Sequence, residues 1–389
     1  MGTRAGWLAR ALSVCATTWL AGWAGAEFVG EGPVVRQARC AEDPAPQPAS
    51  DPELAAAREV VAALEREELQ IAGQLAQDFP ESVTALGILG MVHNRQGKAA
   101  KALECWTEGL RRSPLRGDFY DAMATVALRK GEYAKAAELC RQGLEKAPGT
   151  SGLHGHLAEA LTGLGRVKEA IGEFEREATL SPTDATVRFL LGQSYALLNQ
   201  HDKARGCYQT AIKLQPDDPR FYYGLATACT RLGLEEEAQR QMQEFEQRNA
   251  ASMERQRSRR GLAHAADSTR VSLARTCSDA GLLYFHGAKL DRAEDLYRRG
   301  AEVNPQDTAC RIQLGILFLR TNRPSSAIGI CKELIAIEPG NAEHYRQLGM
   351  IYARLRQFDA ARAQAKRAVE LAPDDEQCRE LYRQLGGAK

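Results

Sequence analysis

The chain has 389 residues, with 51 Lys+Arg against 50 Asp+Glu, so its net charge is +1 and its pI is near 7.6. A balance that close gives no general electrostatic attraction to DNA or RNA, and nucleic acid is not expected as a partner. Charged residues at 26% and hydrophobic residues at 44% belong to a folded soluble protein, and the length leaves two or three domains or one elongated array.

Arg4 and Arg10 precede an uncharged stretch, Ala11 to Ala26, that ends in Ala24-Gly25-Ala26. It falls short of the roughly 20 residues a spanning helix needs, and its small residues stand where a signal peptidase cuts. Residues 1–26 are therefore expected to be a secretory signal, cleaved before Glu27, with an uncleaved anchor as the alternative. The exported chain would be periplasmic or secreted. Residues 27–52 carry prolines at 33, 44, 46, 48 and 52 and read as an extended linker. No later segment is long and apolar enough to span a bilayer. Residues 53–82 hold an amphipathic helix and a degenerate repeat, expected to cap the array.

Pro80, Pro114, Pro148, Pro182 and Pro216 are each 34 residues apart, and so are Pro305, Pro339 and Pro373. With each ladder proline at position 32 of a 34-residue unit, position 20 is alanine eight times: Ala102, Ala136, Ala170, Ala204, Ala238, Ala293, Ala327 and Ala361. Position 8 is always Gly or Ala, as in Gly90, Ala124, Gly192 and Gly281. Two antiparallel helices approach closely only where both lack bulk, so these two positions fix a crossing point. Positions 4, 7, 8 and 11 share one helical face. Gly97, Gly131, Gly165 and Gly233 at position 15 part the first helix from the second, and the ladder proline ends the second. Five units fill 83–252, three fill 274–375, and 253–273 is an insertion or helix extension between them. Residues 376–389 read as a C-terminal capping helix.

The period and the pattern Leu191-Gly192…Tyr195…Ala204…Tyr208…Pro216 resemble the tetratricopeptide repeat. The resemblance implies an all-α fold, a right-handed superhelical solenoid of helix-turn-helix repeats whose first helices line a concave groove. It also implies a non-enzymatic scaffold or adaptor that binds a peptide or protein segment in that groove. The family's carboxylate clamp uses Lys, Asn and Arg at positions 2, 5, 6 and 9. Here those positions hold Thr84, Gly87, Ile88 and Met91, then Asp118, Asp121, Ala122 and Thr125, so a C-terminal carboxylate is disfavoured as ligand.

The expected groove residues change character along the array. Units two to five offer Asp121, Thr125, Glu159, Phe189, Gln193, Arg220, Tyr223 and Thr227. Units six to eight offer Leu282, Phe285, Ile312, Ile316, Leu319 and Met350, with Arg346 as the charged exception. Such an apolar stripe means a partner or an internal segment that covers it, or a curvature that buries positions 9 and 12.

No catalytic or cofactor motif is found, and neither a cofactor nor a metal is expected. His154 and His156, two apart, sit on different faces of a helix. Nine cysteines follow the signal, mostly at packing positions; Cys207 and Cys229 are the intramolecular pair the register brings near. Arg255, Arg257, Arg259 and Arg260 form a basic cluster that reads as an exposed helix end or a contact for an acidic partner. Two other readings stand beside the scaffold. One is a transferase-type enzyme with groove chemistry, for which Asp121 and Glu159 would face each other with shifted pKa values. The other is a cytoplasmic scaffold whose signal is misread.

Overall fold

The computed structural model describes residues 52–259 and 262–386, with side chains described for 55–253 and 265–386. The expected signal and almost all of the linker lie outside these residues, as do the side chains of the Arg255–Arg260 cluster. The described residues form helices and turns, without a strand.

A long first helix, α1 (Pro52–Asp78), precedes the repeats. Five helix pairs follow: α2 (Val83–Arg95) with α3 (Ala99–Arg112), α4 (Gly117–Arg129) with α5 (Tyr133–Lys146), α6 (Leu153–Gly163) with α7 (Val167–Leu180), α8 (Ala185–Leu197) with α9 (His201–Leu214), and α10 (Pro219–Arg231) with α11 (Glu235–Arg259). Three more pairs complete the array: α12 (Leu262–His286) with α13 (Leu290–Val303), α14 (Ala309–Arg320) with α15 (Pro324–Ile337), and α16 (Ala342–Arg354) with α17 (Phe358–Leu371). The short α18 (Glu376–Gln384) closes it. Neighbours in sequence pack on one another, except α11 and α12, between which little contact is made among the described residues.

The repeat chemistry explains each boundary. Residues before the ladder prolines leave the helical basin, as Pro Cδ requires: Ser113, Ala147, Ser181, Gln215, Asn304, Glu338 and Ala372 have ψ between 69 and 90°. Two residues past the proline, Ser82, Asp184, Asp218, Asn341 and Asp375 accept a backbone N–H and start the next helix. The second unit has Arg116 there, without a side-chain cap, and the third departs from the rule as well. There the buried carboxylate of Glu177 reaches from α7 and accepts from the N–H groups of Gly152 and Gly155 at 3.0 and 3.3 Å.

All eight alanines at position 20 are buried, seven of them completely. Position 8 is glycine in five units, and in three of them an aromatic ring of the paired helix lies against it. A methyl added at Gly90, Gly192 or Gly281 would stand 2.5 to 2.7 Å from Trp106, Tyr208 or Tyr297. Position 15 takes a positive φ in every unit, including the four without glycine: Asn199, Ala288, Asn322 and Arg356. The turn geometry, not the residue, is what repeats.

The expected N-terminal cap is placed differently. Helix α1 does not end the array; it packs on both α2 and α12. Leu64 and Ile71 join Leu273, Cys277, Leu296 and Val303, while Ala72 and Leu75 join Ala280, Tyr284 and Tyr297. Glu68 pairs with Thr276 and Asp78 with Tyr284, so α1 and α12 run parallel. The face that opens the second block is covered by α1. In the segment expected as an insertion, the described residues are helical: α11 runs on to Arg259 and α12 begins at Leu262.

Candidate partner-binding surface

On the first helix of each pair, positions 7, 8 and 11 point at the paired helix, so positions 2, 5, 9 and 12 remain for other contacts. The structure leaves Glu159, Gln193, Arg220, Tyr223, Thr227, Leu282, Ile316 and Met350 exposed on these helices. Asp121, Phe285, Ile312 and Arg346 are half-buried. Phe189 is a correction: only 7% of it is exposed, because its ring packs between Tyr208 and Phe221 with centroids 5.8 and 5.1 Å away. Arg220, held by Asp218, lies over that ring at 5.5 Å and presents its guanidinium where the phenyl was expected.

Units two and three carry a polar cluster. His156 Nδ1 and Asp121 Oδ1 are 2.7 Å apart, and that hydrogen bond raises the imidazole pKa, against desolvation. Desolvation raises the Glu159 carboxyl, with His156 pulling the other way. His154 points elsewhere, with its Nδ1 2.6 Å from Glu173 Oε2. The two histidines thus occupy different faces, but the sequence reading passed over His156 as a partner of Asp121. The signal available was the register: position 6 of one unit lies beside position 5 of the unit before it. The thiol nearby is inert, since burial pushes Cys140 up to about 12.

Unit five presents an aromatic contact, with the Tyr223 ring 5.3 Å from Phe245. In units six to eight the apolar residues at position 9 are open: Leu282, Ile316 and Met350 are 39, 42 and 40% exposed. Curvature does not bury them. Arg346 is tied through Nε and Nη2 to Glu343, at 2.6 Å each, and its Nη1 touches Met350 Sδ.

A separate polar cavity of about 230 Å³ lies where α1, α2 and α12 meet, lined by Glu65, Glu68, Arg95, Gln96, Ser268, Thr269 and Ser272. Its floor is the joint between the blocks, where Glu68 accepts from Arg95 at 2.5 Å and Thr276 at 2.9 Å. Among the described residues no group of three or more His, Cys, Asp or Glu is arranged to hold a metal ion. Among them, too, no helix is long and apolar enough to cross a membrane. The eight described cysteines, Cys207 and Cys229 included, are free thiols.

Family models described as TPR repeat or tetratricopeptide repeat match residues 122–185, 192–233, 278–342 and 322–385. BBSome complex member BBS4 of Bos taurus is 24% identical over 197 residues, covering 51% of this chain and 34% of that protein. The same protein of Mus musculus is 26% identical over 156 residues, covering 40% and 26%. The chain thus spans about a third or less of the length of the curated relatives it matches. Among solved structures, MamA from residue 41 onward of Desulfovibrio magneticus RS-1 aligns with a TM-score of 0.41 at 19% identity, over 43% of this chain and 96% of that one. A tetratricopeptide repeat protein from Parabacteroides merdae ATCC 43184 aligns with a TM-score of 0.35 at 13% identity, over 82% and 100%. With a 34-residue clock in its prolines, paired helices that obey it and family models matching four stretches, this chain belongs to the tetratricopeptide repeat family.

Proposed function

We propose that the chain is a protein-interaction scaffold that holds a peptide or protein segment along the face formed by its first helices. One observation carries this reading. The small and apolar positions of each unit are consumed by helix pairing, whereas positions 9 of successive units stay open and differ from unit to unit: Glu159, Gln193, Thr227, Leu282, Ile316, Met350. A surface that varies while its support repeats is suited to reading a partner. The names of the relatives fit it, since BBS4 is named as a member of a complex. The test is capture of partners from the native host. Tyr223→Ala and Ile316→Glu are expected to weaken capture while circular dichroism stays near that of the wild type. Undiminished capture by both variants would count against the reading.

A non-enzymatic role belongs to the same proposal. The Asp121–His156 pair with Glu159 gives the transferase-type alternative its acid–base groups, so the alternative has a direct test. His156→Asn would abolish any group transfer that the purified chain performs while leaving partner capture intact.

Export is part of the proposal as well, supported by Arg4, Arg10 and the Ala24-Gly25-Ala26 ending of the uncharged stretch. The free thiols do not oppose it, because burial pushes Cys277 and Cys310 to about 12 and Cys331 to about 11, which keeps them protonated and slow to oxidise. The mass of the mature N-terminus tests it: cleavage before Glu27 supports export, and an intact Met1 in the cytoplasm supports the cytoplasmic scaffold.

A further inference from the structure

We propose that units six to eight form a docking face for an acidic amphipathic helix; this rests on the scaffold reading and names the kind of segment held there. Leu282, Ile316 and Met350 stand at position 9 of three successive units, all exposed. One helical turn further, position 13 of the same units holds His286, Arg320 and Arg354, also exposed. Residues four apart share a helix face, so an apolar ladder and a basic ladder run side by side across three helices. Arg320 confirms the join, because its guanidinium lies 5.0 Å from the ring centroid of Phe285, at position 12 of the preceding unit. Among the described residues neither Arg320 nor Arg354 has a carboxylate partner, whereas Arg346, Arg323 and Arg298 on the same units do. Their charge is free to meet acids on another chain.

The dimensions select a helix. The first helices of units six and seven pack on each other. Helices in contact lie about 8–10 Å apart, the advance of seven α-helical residues, so side chains at i and i+7 of a partner meet Leu282 and Ile316, with Met350 next along the array for i+14. The apolar band runs from Ile312 to Leu319 along α14, about 10 Å, which matches the diameter of a helix and is twice the spacing of one extended strand. Units two to five offer no such band, since position 9 there is Thr125, Glu159, Gln193 and Thr227.

The test is fluorescence anisotropy of the full chain with a synthetic helix of about five turns, Leu at i, i+7 and i+14 and Glu on the flanking face. The wild type is expected to bind it. Ile316→Glu is expected to weaken binding about thirtyfold. Arg320→Glu with Arg354→Glu should lose the Glu helix and gain its Lys counterpart, an exchange that a misfolded variant would not show. A scrambled helix of equal composition that binds as well overturns the proposal, as does equal affinity for the Glu and Lys helices, or no binding of either. If the helix fails while Tyr223→Ala still weakens capture of native partners, the scaffold reading survives and only the helix falls.

Discussion

Glu67 on α1 and Arg299 on α13 form a two-pronged ion pair, Nε to Oε1 at 2.6 Å and Nη2 to Oε2 at 2.8 Å, although 232 residues separate them in the chain. The next residue of the same helix, Glu68, is 2% exposed and joins Arg95 of the first block to Thr276 of the second. The two blocks are thus held by the chain's first described helix, through apolar packing and ion pairs, and Glu68 is the one buried carboxylate among the described residues of that joint.

Replacing that carboxylate tests the joint. Glu68→Ala is expected to cost about 2 kcal/mol, less than a fully buried pair because Arg95 keeps partial access to water. Denaturant titration should show it, with the second block losing amide-exchange protection first. Glu68→Gln, which keeps an acceptor for Thr276, should cost less.

The glycines separate packing from propensity. Gly281→Ala puts a methyl 2.5 Å from the Tyr297 ring and should destabilise by about 1–2 kcal/mol net of the helix preference for alanine. Gly172 lies inside α7 with nothing within 4 Å of an added methyl. Gly172→Ala should therefore stabilise by about 1 kcal/mol. Equal effects at both sites would mean that the ring of Tyr297 does not set the pairing.

The turns make a prediction of opposite sign to most substitutions. Ala288 and Arg356 hold φ of 58° and 60°, a left-handed conformation unfavourable for residues with a Cβ. Ala288→Gly and Arg356→Gly should each raise stability by about 0.5–1 kcal/mol, after the greater entropy of glycine in the unfolded chain is subtracted. Urea titration of each variant checks it.

His156 gives a pH signature. Its imidazole pKa is raised by the hydrogen bond to Asp121, so between the unfolded value near 6.5 and the higher folded value the native state binds more protons. The stability it contributes is complete below about pH 6 and is lost as pH rises through the folded pKa. His93 acts in the opposite sense, since burial lowers it. The difference between wild type and His156→Asn, followed from pH 5 to 8, therefore isolates the term, and the wild type should lose its advantage on the alkaline side.

The repeat was legible because burial recurs on a clock. Ala102 and its seven counterparts mark a helix crossing that no larger residue fits, and the prolines mark where seven of the eight second helices end. The joint was not legible, because Glu68 and Thr276 lie 208 residues apart and meet once, so no period announces them. Phe189 misled for a related reason. Position 5 was expected to face outward, yet of its eight residues only Tyr223 is exposed, and at Phe189 the rings of Tyr208 and Phe221 offer aromatic surface onto which the side chain packs. The open position 9 of units six to eight was visible as composition, yet only the exposure of Leu282, Ile316 and Met350 decided between a covered stripe and a bare one.

The scaffold account is tested most directly by placing a photo-cross-linking amino acid at single positions in the native host. Gln193 and Thr227 lie on first helices, and Glu138 and Lys366 are exposed on second helices. The account predicts a discrete cross-linked adduct from Gln193 and Thr227 and none from Glu138 and Lys366. Adducts that form only from the second helices, or equally from all four positions, would contradict it.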